Sequence, residues 1–127
     1  MRLILRRVMK SIEHIQLPLF GLSHDEQGTP AGVRASSRVF VPLFTSTERL
    51  NVFLERTALK LRPQQLSSWY QLWRFARQGA SLCDDLPATK EHNCWFVVDP
   101  IELAGAECRP FPAAGFLEAV QSRLNVN

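Results

Sequence analysis

The clearest pattern in the chain is a short apolar run that changes directly into an amphipathic one. Residues 39–44 are almost continuously apolar and rich in Val and Phe, which predicts a buried strand. From Leu50 onward the apolar residues recur at helical spacing, with Phe53 next on the same face. Thr45 precedes this helix and Glu48 follows three residues later, as in a capping box. The segment therefore predicts a strand that leads directly into a helix capped by Thr45.

Two apolar segments precede this strand. Residues 2–15 place apolar side chains on one helical face and basic ones elsewhere, which predicts an amphipathic helix that covers the core. Binding to an anionic membrane surface is the alternative for that helix. Residues 17–22 predict a short strand, with Pro18 at its start or at a sheet edge. The polar stretch 24–37 is typical of a loop or hairpin connection, so we expect strands 17–22 and 39–44 to pair antiparallel.

A second helix is predicted over residues 64–77, with Pro63 in its first turn and Gly79 in position to end it. Its large apolar residues share one face at helical spacing: Leu66, Trp69, Tyr70, Trp73 and Ala76. That spacing favours a core face, and a platform for bases or a peptide groove is the alternative. Phe75 points away from this stripe, so either a second element covers it or it belongs to an exposed contact patch.

The C-terminal third predicts two more strands and a helix. Residues 94–98, reading CWFVV, follow a polar loop over 80–93 and predict a buried central strand that Asp99-Pro100 ends. A turn at Ala104-Gly105 leads to a last strand over 107–111. Pro112 then opens a C-terminal helix with an apolar stripe: Phe116, Leu117, Val120 and Leu124. The fold class predicted is α+β: one domain, with a helix over 1–15 and a core over 16–124. A small mixed or antiparallel sheet of about four to five strands packs against about three to four helices.

Composition narrows the function classes only a little. The 127 residues suit a single domain, and the net charge of +3 comes from an excess of arginine, which accounts for 12 of the 15 basic residues. This balance permits an acidic partner but lacks the clustered Lys/Arg that would favour nucleic acid. Three cysteines without framework spacing favour reduced thiols and a cytoplasmic location. We expect no membrane span, and basic residues interrupt the N-terminal apolar residues too often for a secretory signal.

Three segments together carry a family resemblance: FVPLFTSTERLNVFL at residues 40–54, the apolar strand at 17–22 and WFVVDPIE at 95–102. The first is similar to the "lPvFTs-e-rL" signature in the N-terminal domain of the SseB family, bacterial proteins named for enhanced serine sensitivity. The second stands where that family has its preceding "lyvP" strand, and the third where it has a strand ending in an Asn-Pro turn. Asp99 replaces the asparagine, and the helix over 64–77 is richer in aromatic residues, which indicates a distant branch.

The resemblance spans roughly residues 15–124, and it rests on a cap and a hydrophobic pattern rather than on catalytic residues. It implies an α+β domain without established enzymatic activity, used as an accessory or interaction module. Similar domains are used around secretion and toxin–immunity systems, so the resemblance also implies a third reading, a toxin-immunity type of binding protein.

Reactive side chains do not assemble into a recognisable catalytic or metal motif. A metal would need Cys83, His92 and Cys94, with Asp84 or Asp85, but none of the paired C-x2-C knuckles of structural zinc is present. A cysteine–histidine couple would draw on four residues without a flanking motif: Cys83, Cys108, His92 and His24. The glycines are scattered and form no phosphate-binding loop. We therefore expect no enzyme, no cofactor and no metal.

Two main function classes remain. The first is a cytoplasmic protein-interaction module, with four candidate partner-binding residues: Phe75, Arg74, Trp73 and Arg38. In that case, Phe75→Asp should leave folding intact and reduce partner capture. The second class is binding of nucleic acid or an anionic surface, which would weaken steeply with salt. It would use the basic residues Arg2, Arg6, Arg7, Lys10, Arg34 and Arg38. A homo-oligomer stays open in either class.

Overall fold

The computed structural model describes residues 15–35, 38–81, 94–100 and 109–124. The predicted N-terminal helix, most of the loop over 80–93 and the turn at Ala104-Gly105 lie outside these residues. Within them the chain forms six strands and three helices. In chain order they are β1 Leu19–Ser23, β2 Val33–Ala35, β3 Arg38–Phe44, α1 Thr47–Thr57, β4 Arg62–Leu66, α2 Trp69–Ser81, β5 Cys94–Val98, β6 Arg109–Pro112 and α3 Ala113–Leu124.

All six strands belong to one mixed sheet with the order β4-β1-β3-β5-β6, and β2 also pairs with β3. The antiparallel pairing of β1 with β3 is confirmed, with Phe20 opposite Phe44. β3 and β5 run parallel, with Val41 opposite Phe96, and the other pairs are antiparallel. The α+β class is therefore confirmed for one small domain, and the described residues add one strand to the four to five that we expected.

Helices cover both faces of the sheet, which explains why β3 is apolar without interruption. Along β3, Phe40 and Phe44 pack toward α1, while Val41 and Leu43 pack toward α2 and α3. On the second side the core includes the stacked rings of Phe96 and Phe116, whose centroids lie 4.7 Å apart. The predicted C-terminal helix is confirmed as α3, in which Phe116 and Val120 are fully buried.

The first helix begins one residue later than the capping box predicted. Ser46 is the N-cap of α1, and its Oγ accepts a hydrogen bond from the N–H of Arg49 at 3.2 Å. Thr45 is not the cap because the carboxylate of Asp99 binds both its N–H and its hydroxyl. The predicted apolar face of this helix is confirmed, since Leu50 and Phe53 are fully buried.

Residues 62–66 form strand β4 rather than the first turn of a helix. Pairing with β1, in which Pro63 lies opposite Leu22, overrides the local signal from the proline. α2 begins only at Trp69, after Ser68, whose Oγ accepts from the N–H of Gln71 at 3.1 Å. This strand lies at the edge of the sheet, where Pro63 is tolerated. Its polar sequence therefore resembles the start of a helix.

The buried face of α2 differs from the predicted one. Its buried residues are Leu72, Phe75, Ala76 and Gly79, which form their own helical stripe. Phe75 is only 4% exposed, and its ring lies over Gly21 of β1, where the lack of a side chain leaves room for it. Gly79 does not end the helix but packs close to the sheet inside it. The prediction that Phe75→Asp leaves folding intact is therefore wrong, because Phe75 is a core residue.

Candidate functional site

The rotation of α2 exposes a cluster of aromatic and basic side chains, which we call the aromatic–arginine face: Tyr70, Trp73, Arg74 and Arg77. Tyr70 is 55% exposed and stacks on Trp73, with ring centroids 6.2 Å apart. The guanidinium carbon of Arg77 lies 5.3 Å from the centroid of the Trp73 ring. With helical spacing Tyr70 precedes and Arg77 follows Trp73, so the three side chains form a continuous strip along the helix.

A second arginine–tryptophan pair lies beside this face. Arg123, near the end of α3, places its guanidinium carbon 5.5 Å from the centroid of the Trp69 ring. Trp69 and Trp73 are four residues apart, so their Cα atoms lie about 6 Å apart along the axis of α2. Both tryptophans are half-buried and pack against the core. This packing restricts the indoles, and each indole contacts an arginine.

Among the residues that the structure describes, the charge on this side of the domain is positive. α2 contains two arginines and no acidic residue. The acidic residues that the structure describes lie on other elements: Asp25, Glu26, Glu48, Glu55, Asp99 and Glu118. Of these, only Glu118 belongs to the same helical layer, and its position on α3 is about 140° around the helix from Arg123. The ion pairs formed among the described residues join Arg49 to Asp99 and Arg62 to Glu26, and neither involves Arg74 or Arg77.

The face surrounds a shallow, open depression whose floor also includes Gln78 and Ser81. The Ser81 hydroxyl donates a hydrogen bond to the Gln78 carbonyl at 2.6 Å. The remaining groups can bind by stacking, by charge and by the several N–H donors of the arginines. Among the residues described, the depression holds no nucleophile paired with a base.

The sequence-predicted site residues fall in three different places. Trp73 and Arg74 lie on the aromatic–arginine face, whereas Phe75 is buried between α2 and β1. Arg38 opens β3 opposite Ala35 and so belongs to a different element. The sequence analysis missed Tyr70 and Arg77 as site residues because it assigned the aromatic stripe to the core. The arginines at 74 and 77 are the signal that could have marked this side of the helix as solvent-facing.

A separate polar cluster joins the ends of the two parallel strands. Asp99 directly follows β5, and its carboxylate accepts from the N–H and the hydroxyl of Thr45, both at 2.9 Å. Arg49 of α1 adds an ion pair at 3.6 Å, and the N–H of Asp99 donates to the Leu43 carbonyl at 2.7 Å. Asp99 adopts a left-handed backbone with φ of 57°, which asparagine and aspartate tolerate best. All of these contacts are made within the domain, so the cluster holds the ends of β3 and β5 together.

The other candidate residues give no site in the described part of the chain. The metal and nucleophile candidates Cys83, Asp84, Asp85, His92 and Cys108 lie outside the described residues, as do Arg2, Arg6, Arg7 and Lys10. Only the backbone is described for Arg34, Arg38 and Cys94. His24 is exposed in the turn after β1. Within the described ranges, no three His, Cys, Asp or Glu side chains come together as metal ligands.

Comparison with known proteins adds no family. No protein-family model matches the sequence, and no curated protein matches it. The resemblance to the SseB family therefore stays a prediction that rests on the three segments that carry it. The helices within the described residues are all too short or too polar to cross a membrane.

Proposed function

We propose that the chain is a non-catalytic protein-interaction module that contacts its partner through the aromatic–arginine face. The observation that carries this proposal is the exposed Tyr70 stacked on Trp73, with Arg77 over the same indole. Tyrosine, tryptophan and arginine are the residue types most enriched at the energetic centres of protein interfaces. We further propose a cytoplasmic role of the accessory type that the resemblance to bacterial SseB-family domains implies.

The edges of the sheet are less suited to a partner. Among the strands that the structure describes, the outermost are β4, which contains Pro63, and β6, which contains Pro110 and Pro112. Proline offers no N–H to an added strand, and natural sheets use it on edges to prevent pairing with other chains. A partner that adds a strand is therefore disfavoured, which leaves the helical surface as the better docking site.

A symmetric homodimer through this face is also disfavoured. A two-fold axis sets the same patch against itself, so the patch with Arg74 and Arg77 would face a second patch of the same positive charge. The α2 helix offers no carboxylate to compensate them. A different protein that brings negative charge is the better match.

The test is affinity capture from a lysate of the source cells, treated with nuclease, using the tagged chain and matched variants. We expect Tyr70→Ser and Arg77→Glu each to lower recovery of the specific partner about tenfold or more. Val52→Ser and Lys60→Glu are the controls, since they make similar changes on the α1 side, where Val52 is 40% exposed. Equal recovery by all five proteins would contradict the proposal.

The same experiment separates the second function class. Binding of nucleic acid or of an anionic surface should weaken steeply when salt is raised, because it releases many counterions. A partner held by stacking and by a few charge pairs should lose much less. Capture that is seen in an untreated lysate and disappears after nuclease treatment would favour nucleic acid over a protein partner. Circular dichroism and urea midpoints of each variant would show that lost capture does not come from unfolding.

A further inference from the structure

We infer that the partner presents an acidic protein segment whose carboxylates bind the two arginines held over Trp69 and Trp73. The inference rests on the proposed function, since it names the chemistry that the same face would recognise. It goes further in stating which groups make the contact.

The two arginine–tryptophan pairs provide preorganised donors. A guanidinium that lies over an indole ring keeps its N–H groups free to donate to a carboxylate, and the contact restricts its rotamers before binding. Arg77 and Arg123 are held in this way at 5.3 and 5.5 Å from the rings. Less side-chain entropy is then lost when a carboxylate binds than would be lost at a mobile, lysine-type side chain, which favours binding of a carboxylate here.

The spacing of the two tryptophan positions along α2 predicts the spacing of the acids. Trp69 and Trp73 are one helical turn apart, about 6 Å along the axis. Acidic residues at i and i+4 of a partner helix stand at about the same separation. Residues at i and i+2 of an extended segment stand about 7 Å apart, which fits almost as well. Tyr70, next to the first pair, would cover an apolar or aromatic side chain of the same segment.

Charge and ring access favour an acidic segment over a nucleic acid. No described carboxylate neutralises this side of α2, so a negative ligand is the complementary one. A stacked base would need an open ring, but the Trp73 ring is already in contact with Tyr70 and with Arg77. A carboxylate needs only the N–H donors of the arginines, and these donors remain available at the rim of the rings.

The inference can be tested without knowing the partner. The full chain is used to select binders from a library of short random displayed peptides, and binders to the support alone are discarded. An enriched peptide is then synthesised with a fluorescent label, together with a form in which each Glu or Asp is replaced by Gln or Asn. Affinities are measured by fluorescence anisotropy for the wild type, Arg77→Gln, Tyr70→Ser and the control Arg62→Gln. Arg62 is a suitable control because it is an exposed arginine of β4, paired with Glu26.

We expect the selected peptides to be enriched in acidic residues spaced at i,i+4 or i,i+2. Arg77→Gln and the neutralised peptide should each lower the affinity about tenfold, and the combination should be little worse than either alone. Arg62→Gln should have no effect. Without acidic enrichment, or with additive losses, the acidic-segment inference is overturned.

Two outcomes separate this inference from the proposed function. Selected peptides that lack acids but lose affinity for Tyr70→Ser would leave the aromatic–arginine face as the docking site and overturn only the acidic partner. Peptides that respond to neither Tyr70→Ser nor Arg77→Gln would overturn both. A single-stranded oligonucleotide that binds more tightly than the acidic peptide, with the same dependence on Arg77, would replace the acidic segment by nucleic acid.

Discussion

The contact between Gly21 and Phe75 allows a sharp test of how α2 is rotated on the sheet. A Cβ atom added at Gly21 would lie 2.8 and 3.0 Å from Cε1 and Cε2 of Phe75, and nearer still to Cζ. Non-bonded carbon atoms prefer about 3.5–4.0 Å, so Gly21→Ala forces the ring or the strand to move. Phe75 is 4% exposed and lies in the close-packed core, where moving the ring displaces its neighbours.

The magnitude follows from two opposing effects. Overpacking a core typically costs about 1–3 kcal/mol. Alanine in place of glycine in a strand returns about 0.5–1 kcal/mol, because the unfolded chain loses freedom. We therefore expect Gly21→Ala to lower the free energy of unfolding by about 1–2 kcal/mol. Phe75→Leu should cost about 1 kcal/mol by itself and should remove the atoms that clash with the new methyl group.

The assay is equilibrium urea unfolding followed by tryptophan fluorescence, for the two single variants and the double variant. If the ring lies over Gly21, the double variant should be about 1–2 kcal/mol more stable than the sum of the single changes predicts. Gly79→Ala is the control, because a Cβ there meets its nearest atom, on Val41, at 3.3 Å and gains helix propensity. We expect its stability to stay within about 1 kcal/mol of the wild type.

Two results would refute this reasoning. Gly21→Ala could unfold at the wild-type urea concentration, which would show that the Phe75 ring does not lie against β1. Alternatively, the losses of the two single variants could add in the double variant, which would show that the sites do not interact. In either case α2 would have a different rotation, and the exposure of its aromatic–arginine face would lose its basis.

Three further predictions follow from the same packing and polar contacts. Phe75→Asp should abolish the cooperative unfolding transition, because it buries an unpaired charge in the core. Asp99→Ala should cost about 2 kcal/mol in urea unfolding through its lost bonds to Thr45, whereas Asp99→Asn, which keeps an acceptor and tolerates positive φ, should cost less than about 1 kcal/mol. Hydrogen bonds, first of all from the Thr29 hydroxyl, lower the pKa of Asp25, so its stabilisation is present above the unfolded pKa and is lost as pH falls through the folded one. Asp25→Asn should therefore flatten the stability profile below about pH 4, and an unchanged acid profile would contradict this.

Much of the central sheet could be predicted from the sequence because its strands are locally distinct. Residues 39–44 and 94–98 are apolar on both sides, and only strands covered on both faces keep such a pattern. The antiparallel pairing of β1 with β3 followed from the turn residues between them. The parallel pairing of β3 with β5 was not predictable, because the local sequence of a strand does not indicate its partner after a crossover connection.

The rotation of α2 was mispredicted for a physical reason. The helix carries two apolar stripes, one with Trp69 and Trp73 and one with Phe75 and Gly79. Side-chain size favoured the tryptophan stripe, but close approach to the sheet favours small residues, and a Cβ at Gly79 would already touch Val41. The candidate site was therefore only half predictable. Trp73 and Arg74 were predicted as site residues. The exposure of the aromatic–arginine face, however, depends on how the other side of α2 packs on the sheet.

The parallel pairing of β3 with β5 has a consequence for the way the chain is made. Thr45 and Asp99, which join the ends of these strands, are 54 residues apart. During synthesis β3 and its antiparallel neighbours leave the ribosome first, while the second edge of β3 stays without a partner until β5 has emerged. For that interval the backbone groups on this edge of β3 are open to pairing with other chains. The yield of folded protein should therefore depend on chaperones that protect this edge, more than the stability of the finished domain would suggest.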